Sequence, residues 1–412
     1  MEKLVPKLRF PEFEGEWKKI TLGEISSFIS KGTTPKQFTN QGINYIKIES
    51  LNGINIIKDK CVFIDENTHL FELKRSILEE NDILFAIAGA TVGKIGIVTD
   101  DILPANTNQA LAIIRLKNKS LVNFILFVLD SNKMKKYIQE SISVGAQPNL
   151  NLQQINNFDF YSPNDLEQQK IASFLTSVDE RIILLEKQKQ GMETYKKGVM
   201  QQLFSQQLRF KDDAGKDFPD WEEKKFNEII ERTSTGLNPR QNFTLGKGNN
   251  YYVTIKNISN GKLDFSSCEM IDDDALKMIK KRSDLSKNDI IMSSIGNIGE
   301  AYLLKEEPTN WNINESVFMI RSNAEVVMPL FLFYILSNDF TKKYFENNMT
   351  GSSFKSIKIG DLKLMPVQIP CLEEQQKIAS FLSAIDARIE VVSKQIEQSK
   401  VFKKGLLQQM FV

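Results

Sequence analysis

Histidine is almost absent from the sequence: one residue, His69, in 412. Cysteine is scarce, with Cys61, Cys268 and Cys371 far apart. A metal site needs several ligands at short, regular spacing, and neither residue type supplies that pattern. His69 reads as an incidental surface residue, and the cysteines as reduced thiols of a cytosolic protein rather than a disulfide framework. No apolar run approaches the roughly 18 residues of a membrane span, and no secretory leader pattern is present. The expectation is a soluble, cytoplasmic protein with no membrane partner. Net charge is missing too: 53 Lys and Arg against 52 Asp and Glu leave +1, so composition alone does not announce nucleic acid.

Catalytic motifs are also lacking. Gly89-Ala-Thr-Val-Gly93-Lys94 invites a phosphate-loop reading. It fails because only three residues separate the glycines and Ile95 stands where Ser or Thr belongs. There is no G-x-G-x-x-G, no serine nucleophile elbow and no asparagine–proline–proline methyltransferase signature. No catalytic or metal-binding residue is assigned. The chain reads as one that recognises and connects.

What is present is a duplication. Glu167 to Phe204 reads EQQKIASFLTSVDERIILLEKQKQGMETYKKGVMQQLF, and Glu374 to Phe411 repeats it 207 residues later with 20 identities in 38 ungapped positions. Both copies are predicted as long helices. Ile171, Val178, Leu185, Met192 and Val199 recur every seven residues, with Leu175, Ile182 and Leu203 four residues after members of that set. In the second copy Ile378, Ile385, Val392 and Leu406 alternate with Leu382, Ile389, Ile396 and Met410. This is a coiled-coil seam, about 57 Å long at 1.5 Å per residue, and each copy is the other's natural partner. Lys189, Lys196 and Ser399 interrupt it, so a weaker seam is expected there. The outward positions Gln169, Lys170, Lys197, Gly198 and Gln201 are identical to Gln376, Lys377, Lys404, Gly405 and Gln408. A seam does not demand identity on its exposed face, whereas two copies of one partner would. Glycine inside a helix costs about 1 kcal/mol against alanine, so Gly198 and Gly405 point to close approach by something.

The flanking segments repeat as well. Trp17 matches Trp221, Gly32-Thr-Thr-Pro35 matches Gly236-Leu-Asn-Pro239, and Lys74-Arg-Ser76 matches Lys281-Arg-Ser283. Asn81-Asp-Ile83 matches Asn288-Asp-Ile290, each leading into an apolar strand and a glycine loop. Strands are expected at 45–48, 84–88 and 110–116 and at 252–255, 291–295 and 316–321. An amphipathic helix is expected to close each half, with Leu121, Phe124, Ile125, Val128 and Leu129 on one face of the first and Phe331, Tyr334, Ile335 and Phe340 on one face of the second. Polar loops around Gly145 and Gly351 follow. The predicted organisation is residues 1–163 globule, 164–204 helix, 205–218 polar linker, 219–370 globule and 371–412 helix. The fold class is mixed α/β, two similar domains separated by two long antiparallel helices with a pseudo-two-fold repeat.

Through Glu167-Gln-Gln-Lys-Ile-Ala-Ser-Phe-Leu175 and its copy 207 residues on, the chain resembles the specificity subunits of type I restriction–modification systems, over its whole length. The resemblance implies two target-recognition domains, each reading half of a split double-stranded DNA sequence. It implies that the helices act as a spacer and dock two methyltransferase subunits, which modify an adenine in each half-site, and that motor–nuclease subunits join the complex. S-adenosylmethionine, ATP and Mg are expected on those partners and no cofactor on this chain. The specificity subunit itself is not an enzyme.

Base readout needs amide or guanidinium side chains projecting from a loop or helix into the major groove. The candidates are Lys31, Thr33, Thr34, Lys36, Lys74, Arg75, Thr91 and Lys94 in the first half, and Asn238, Arg240, Lys281, Arg282, Asn297, Ser352, Ser353 and Lys355 in the second. Two other readings stay open at this point: a DNA-free scaffold pairing two proteins through the helices, and a regulator that binds DNA without enzyme partners.

Overall fold

A computed structural model of the chain describes residues 5–141, 149–240, 242–350 and 355–412. Its contacts divide into two units, residues 1–187 with 393–412, and residues 188–392. Each unit is built on the same plan.

In the first unit a four-stranded antiparallel sheet runs in the order Ser26–Lys31, Leu111–Leu116, Ile83–Ala86, Ile95–Ile97. All four residues of Ile83–Ala86 are buried. The run is continuously apolar because both faces of the sheet are covered. Ile83 and Phe85 join the core under the helix Val122–Asp130. Leu84 and Ala86, of opposite parity, join a core with Ile46, Leu78 and Ala105. That second core is lined by a three-stranded sheet, Val62–Ile64, Ile43–Ile46 and Ala105–Thr107, whose last pair is parallel.

The second unit repeats this with Ile230–Thr235, Val317–Ser322, Ile290–Ser293 and Ala301–Leu303, and with Glu269–Ile271, Asn250–Val253 and Trp311–Ile313. In both, a short strand just before the long helix pairs back with an early one: Asp159–Ser162 with Lys18–Thr21, and Pro366–Ile369 with Glu222–Lys225. That pairing closes the globule where the helix leaves it.

The long helices are Asp165–Phe204 and Leu372–Gln409. In the first unit Ile171, Ala172 and Leu175 share a core with Leu406, Leu407 and Met410. In the second, Val199, Met200 and Leu203 share one with Ile378, Ala379 and Leu382. Early residues of one helix meet late residues of the other, so the packing in each unit is antiparallel. The lysine expected to weaken the seam is paired instead: Lys196 Nζ lies 2.6 Å from Asp386 Oδ1 and 5.3 Å over the Tyr334 ring. The equivalent lysine of the other unit does the same, with Lys403 Nζ 2.7 Å from Asp179 and 5.5 Å over Phe127. The lysine stem stays in the seam while the ammonium reaches a carboxylate on the opposite helix.

Several expectations need correction. His69 is buried, 7% exposed, with Nδ1 2.5 Å from Asn106 Oδ1. Phe340 is 59% exposed, because the closing helix breaks at Asn338, whose side chain caps a new helix, Asp339–Asn348. Within residues 205–218, Arg209 is anchored to Glu374. The loop positions Gly145 and Gly351 and the candidates Ser352 and Ser353 lie outside the described residues.

Candidate nucleic-acid interface

The sheet register gathers most of the candidates. Lys31 pairs with Ala112 and Ala86 with Leu111, so Gly32-Thr-Thr-Pro35, the glycine loop after Ala88 and the turn at Asn108–Ala110 leave the sheet at one end. Glycine at position 32 is forced by close approach. A Cβ there would sit 2.1 Å from the Thr107 carbonyl oxygen, and one on Gly236 would sit 1.7 Å from that of Ile313. The loop is pinned further by the buried Tyr45, whose hydroxyl donates to the Thr33 carbonyl at 2.9 Å, as Tyr252 donates to Leu237 at 2.7 Å. Burial pushes the Tyr45 phenol up to about 12. Lys31, Thr34 and Lys36 are exposed on this fixed loop, and Thr33 is half-buried.

The Lys-Arg-Ser segments border the same end. Arg282 donates from Nη2 to Thr235 Oγ1 at 3.1 Å, at the last residue of its strand. Ser76 and Ser283 are buried anchors: Asn106 Nδ2 donates to Ser76 Oγ at 3.2 Å, and Ser283 Oγ donates to Asn312 Oδ1 at 2.7 Å. Lys74, Arg75, Lys281 and Arg282 are thereby left exposed beside the loop. Lys94, Asn297, Arg240 and Lys355 are exposed, and Thr91 and Asn238 half-buried. In the first unit Lys31, Lys36, Lys74, Arg75 and Lys94 are positive on a chain whose net charge is only +1. A half-open cleft of about 620 Å³ opens here, lined among others by Lys31, Ile87, Ala88, Gln109, Asn149 and Leu150.

At the opposite end of the same sheets stands a framework that sequence reasoning only partly identified. The matched Asn81 and Asn288 adopt φ of 72° and 71°, a left-handed turn that asparagine tolerates. The following aspartates receive arginine forks from the central strand. Arg115 donates to both Asp82 oxygens at 2.7 Å, and Arg321 to both of Asp289 at 2.8 Å. These hydrogen bonds raise both guanidinium pKa values. The available signal was the shared Ile-Arg pair at 114–115 and 320–321.

The glutamate that opens each long-helix repeat is a buried structural acceptor. Glu167 accepts from Arg9 Nε and Nη2, each at 2.7 Å, and from Trp17 Nε1 at 3.2 Å. Glu374 takes Arg209 at 3.1 and 2.8 Å and Trp221 Nε1 at 3.0 Å. Two of the outward candidates are engaged within their own units: Lys170 lies 3.5 Å from Glu12 and 5.5 Å over Phe10, and Lys377 lies 2.7 Å from Asp213 and 5.8 Å over Phe218. Lys197 reaches Asp339 at 3.4 Å and Gln376 reaches Ser380 at 2.7 Å. Gln169, Gln201, Lys404 and Gln408 are exposed. A Cβ on Gly198 would meet nothing within 4 Å, and one on Gly405 only Gln409 Nε2 at 4.0 Å. Among the described residues, no packing inside the chain accounts for either glycine.

The fold is that of a duplicated recognition module: two alike globules, each offering a polar, loop-built sheet end and each completed by a pair of long helices. The chain belongs to the type I restriction modification DNA specificity domain family, whose profile matches it twice, over residues 14–194 and 219–399. It is 26% identical to the MjaVIII specificity subunit, a type I restriction enzyme subunit of Methanocaldococcus jannaschii, over 97% of this chain and 92% of that one. Its fold is similar to a type I restriction-modification system S subunit from M. genitalium, with a TM-score of 0.58 at 16% identity, covering 99% of each chain. A chain from the type I R-M system whose complex assembly and conformational transition have been described gives the same TM-score at 15% identity, covering 96% of this chain and 97% of that one. No helix among the described residues is long and apolar enough to cross a membrane.

Proposed function

We propose that this chain is the non-catalytic DNA-specificity subunit of a type I restriction–modification complex. Each globule reads one half of a bipartite double-stranded target. The long helices carry two methyltransferase subunits and set the gap between half-sites, and motor–nuclease subunits complete the assembly. The globules correspond to residues 1–163 and 219–370, with 164–204 and 371–412 as the shared helices. The observation that supports this reading is that in each unit the Gly32 or Gly236 loop, the glycine loop and the Asn108 or Asn314 turn leave the four-stranded sheet at the corresponding end, pinned by matched residues such as Tyr45 and Tyr252. Such an arrangement suits two readers of different sequences on one docking plan. The outward matches Lys197-Gly198 and Lys404-Gly405 support docking of two copies of one partner.

The test is to express the chain with its methyltransferase partner and map methylated adenines, then to exchange residues 1–160 for the corresponding segment of another family member. The expected result is a bipartite motif in which the exchange alters one half only. An unsplit motif, or a change in both halves, would sink the proposal.

A further inference from the structure

The two units build one turn alike and differ in the residue at its tip. Asn108 Oδ1 accepts from the Ala110 amide at 3.2 Å and Asn314 Oδ1 from the Ser316 amide at 3.0 Å. Leu111 and Val317 close the two turns by donating to the Asn108 and Asn314 carbonyls, each at 3.2 Å. In both units the Gly32 or Gly236 loop lies in backbone contact with this turn, so its tip is held rigidly beside the candidate surface. The tip residue is Gln109 in the first unit and Glu315 in the second. Gln109 is exposed, lines the cleft with Lys31 and Asn149, and has no side-chain hydrogen bond among the described residues. Asn149 sits across it through a bridge to Ala88, where the second unit has Ser356 bridged to Ile295. Fixed backbone with an exchanged polar tip is what two readers of different bases require. The sequence reading named neither residue.

Resting on the reading of this end as the DNA-facing surface, we propose that Gln109 and Glu315 are specificity-determining residues, one base-edge reader in each unit. The side-chain chemistry assigns the base. A glutamine amide offers the donor and acceptor that match adenine N7 and N6, and a carboxylate can only accept, which suits the N4 amino group of cytosine. Glu315 is half-buried and its Oε2 accepts from the Tyr252 hydroxyl at 3.5 Å, which orients the carboxylate at the tip; repulsion from phosphate leaves a base amino group as its partner on DNA.

The experiment uses the full chain assembled with its methyltransferase subunits and measures binding to DNA carrying every single-base change in both half-sites. The variants are Gln109→Ala, Gln109→Glu and Glu315→Gln. In Gln109→Ala, discrimination at one position of one half-site is expected to fall about 5- to 100-fold, with the other half-site unchanged. Gln109→Glu is expected to move that position's preference from A toward C, and Glu315→Gln to make the opposite change in the other half-site. Profiles within twofold of the parent at every position would overturn the inference while leaving the bipartite function standing. A uniform loss across all sequences would also overturn it, since that marks a phosphate contact or a structural role. If the unmodified complex itself shows no bipartite preference, the functional reading fails, independently of these two residues.

Discussion

Replacing Arg209 by alanine tests the reading of the motif glutamate as a structural anchor. Glu374 is fully buried, and its carboxylate accepts two bonds from Arg209 and one from Trp221. The truncation leaves a buried carboxylate with the indole N–H as its remaining partner, and breaking such a pair costs about 3–5 kcal/mol. Trp221→Phe keeps the ring packing and removes one hydrogen bond to a charged group, about 1.5–3 kcal/mol. The double variant Arg209→Met with Glu374→Leu removes the charge as well as its partner. It is expected to recover most of the loss, because an apolar pair of similar volume avoids the desolvation penalty. The first unit is an internal replicate, since Arg9, Trp17 and Glu167 repeat the geometry. In a Trp311→Phe background, urea titration followed by tryptophan emission reads each clasp separately: Trp17→Phe leaves Trp221 as the reporter, and Trp221→Phe leaves Trp17. A cost below about 1 kcal/mol for Arg209→Ala, or strict additivity in the double variant, would refute the reasoning.

Four further outcomes are expected. Gly32→Ala and Gly236→Ala destabilise by at least about 1–3 kcal/mol in urea titrations, because the new methyl group meets backbone that cannot move aside. Gly198→Ala stabilises the isolated chain by about 1 kcal/mol, while Gly198→Gln with Gly405→Gln weakens assembly with the methyltransferase subunits in native mass spectrometry and leaves helicity intact. Tyr45 retains its proton when folded up to about 12, whereas an unfolded tyrosine ionises near 10, so its contribution is complete below pH 10 and declines above it. The stability difference between the parent and Tyr45→Phe therefore narrows by about 1.4 kcal/mol between pH 9 and pH 11, measured by urea titration at each pH. Inserting four residues into the first long helix adds roughly 6 Å and is expected to lengthen the gap in the methylated motif by about one to two base pairs with half-sites unchanged.

The internal repeat made much of this legible. Heptad spacing predicted both long helices; seam positions such as Ile171, Leu175, Val199 and Leu203 are buried, while Val178, Leu185 and Met192 are half-buried and Ala172, Met200, Ala379 and Leu407 join the cores from beside the seam. The strand after each Asn-Asp-Ile was legible too, displaced by a residue or two, since an apolar run reveals that a segment is buried but not where its ladder begins. The strands Ser26–Lys31 and Ala105–Thr107 were missed. The second is only three residues long, and the partners of both lie far away in sequence.

Some roles were undecidable from the chain alone. The glutamate of EQQKIASFL has no role that the sequence reveals, because its partners Arg9 and Trp17 lie 158 and 150 residues away. His69 looked superficial because nothing near it in sequence announces Asn106. By itself the sequence determined the duplication, the helical seam and the family, because these are properties of spacing and identity along the chain. Only the tertiary structure decided which matched residues are framework, which face solvent, and that Gln109 and Glu315 stand at the same rigid tip. Hydrogen-bond partners and close backbone approaches are set by contacts between segments distant in sequence, and no local pattern encodes them.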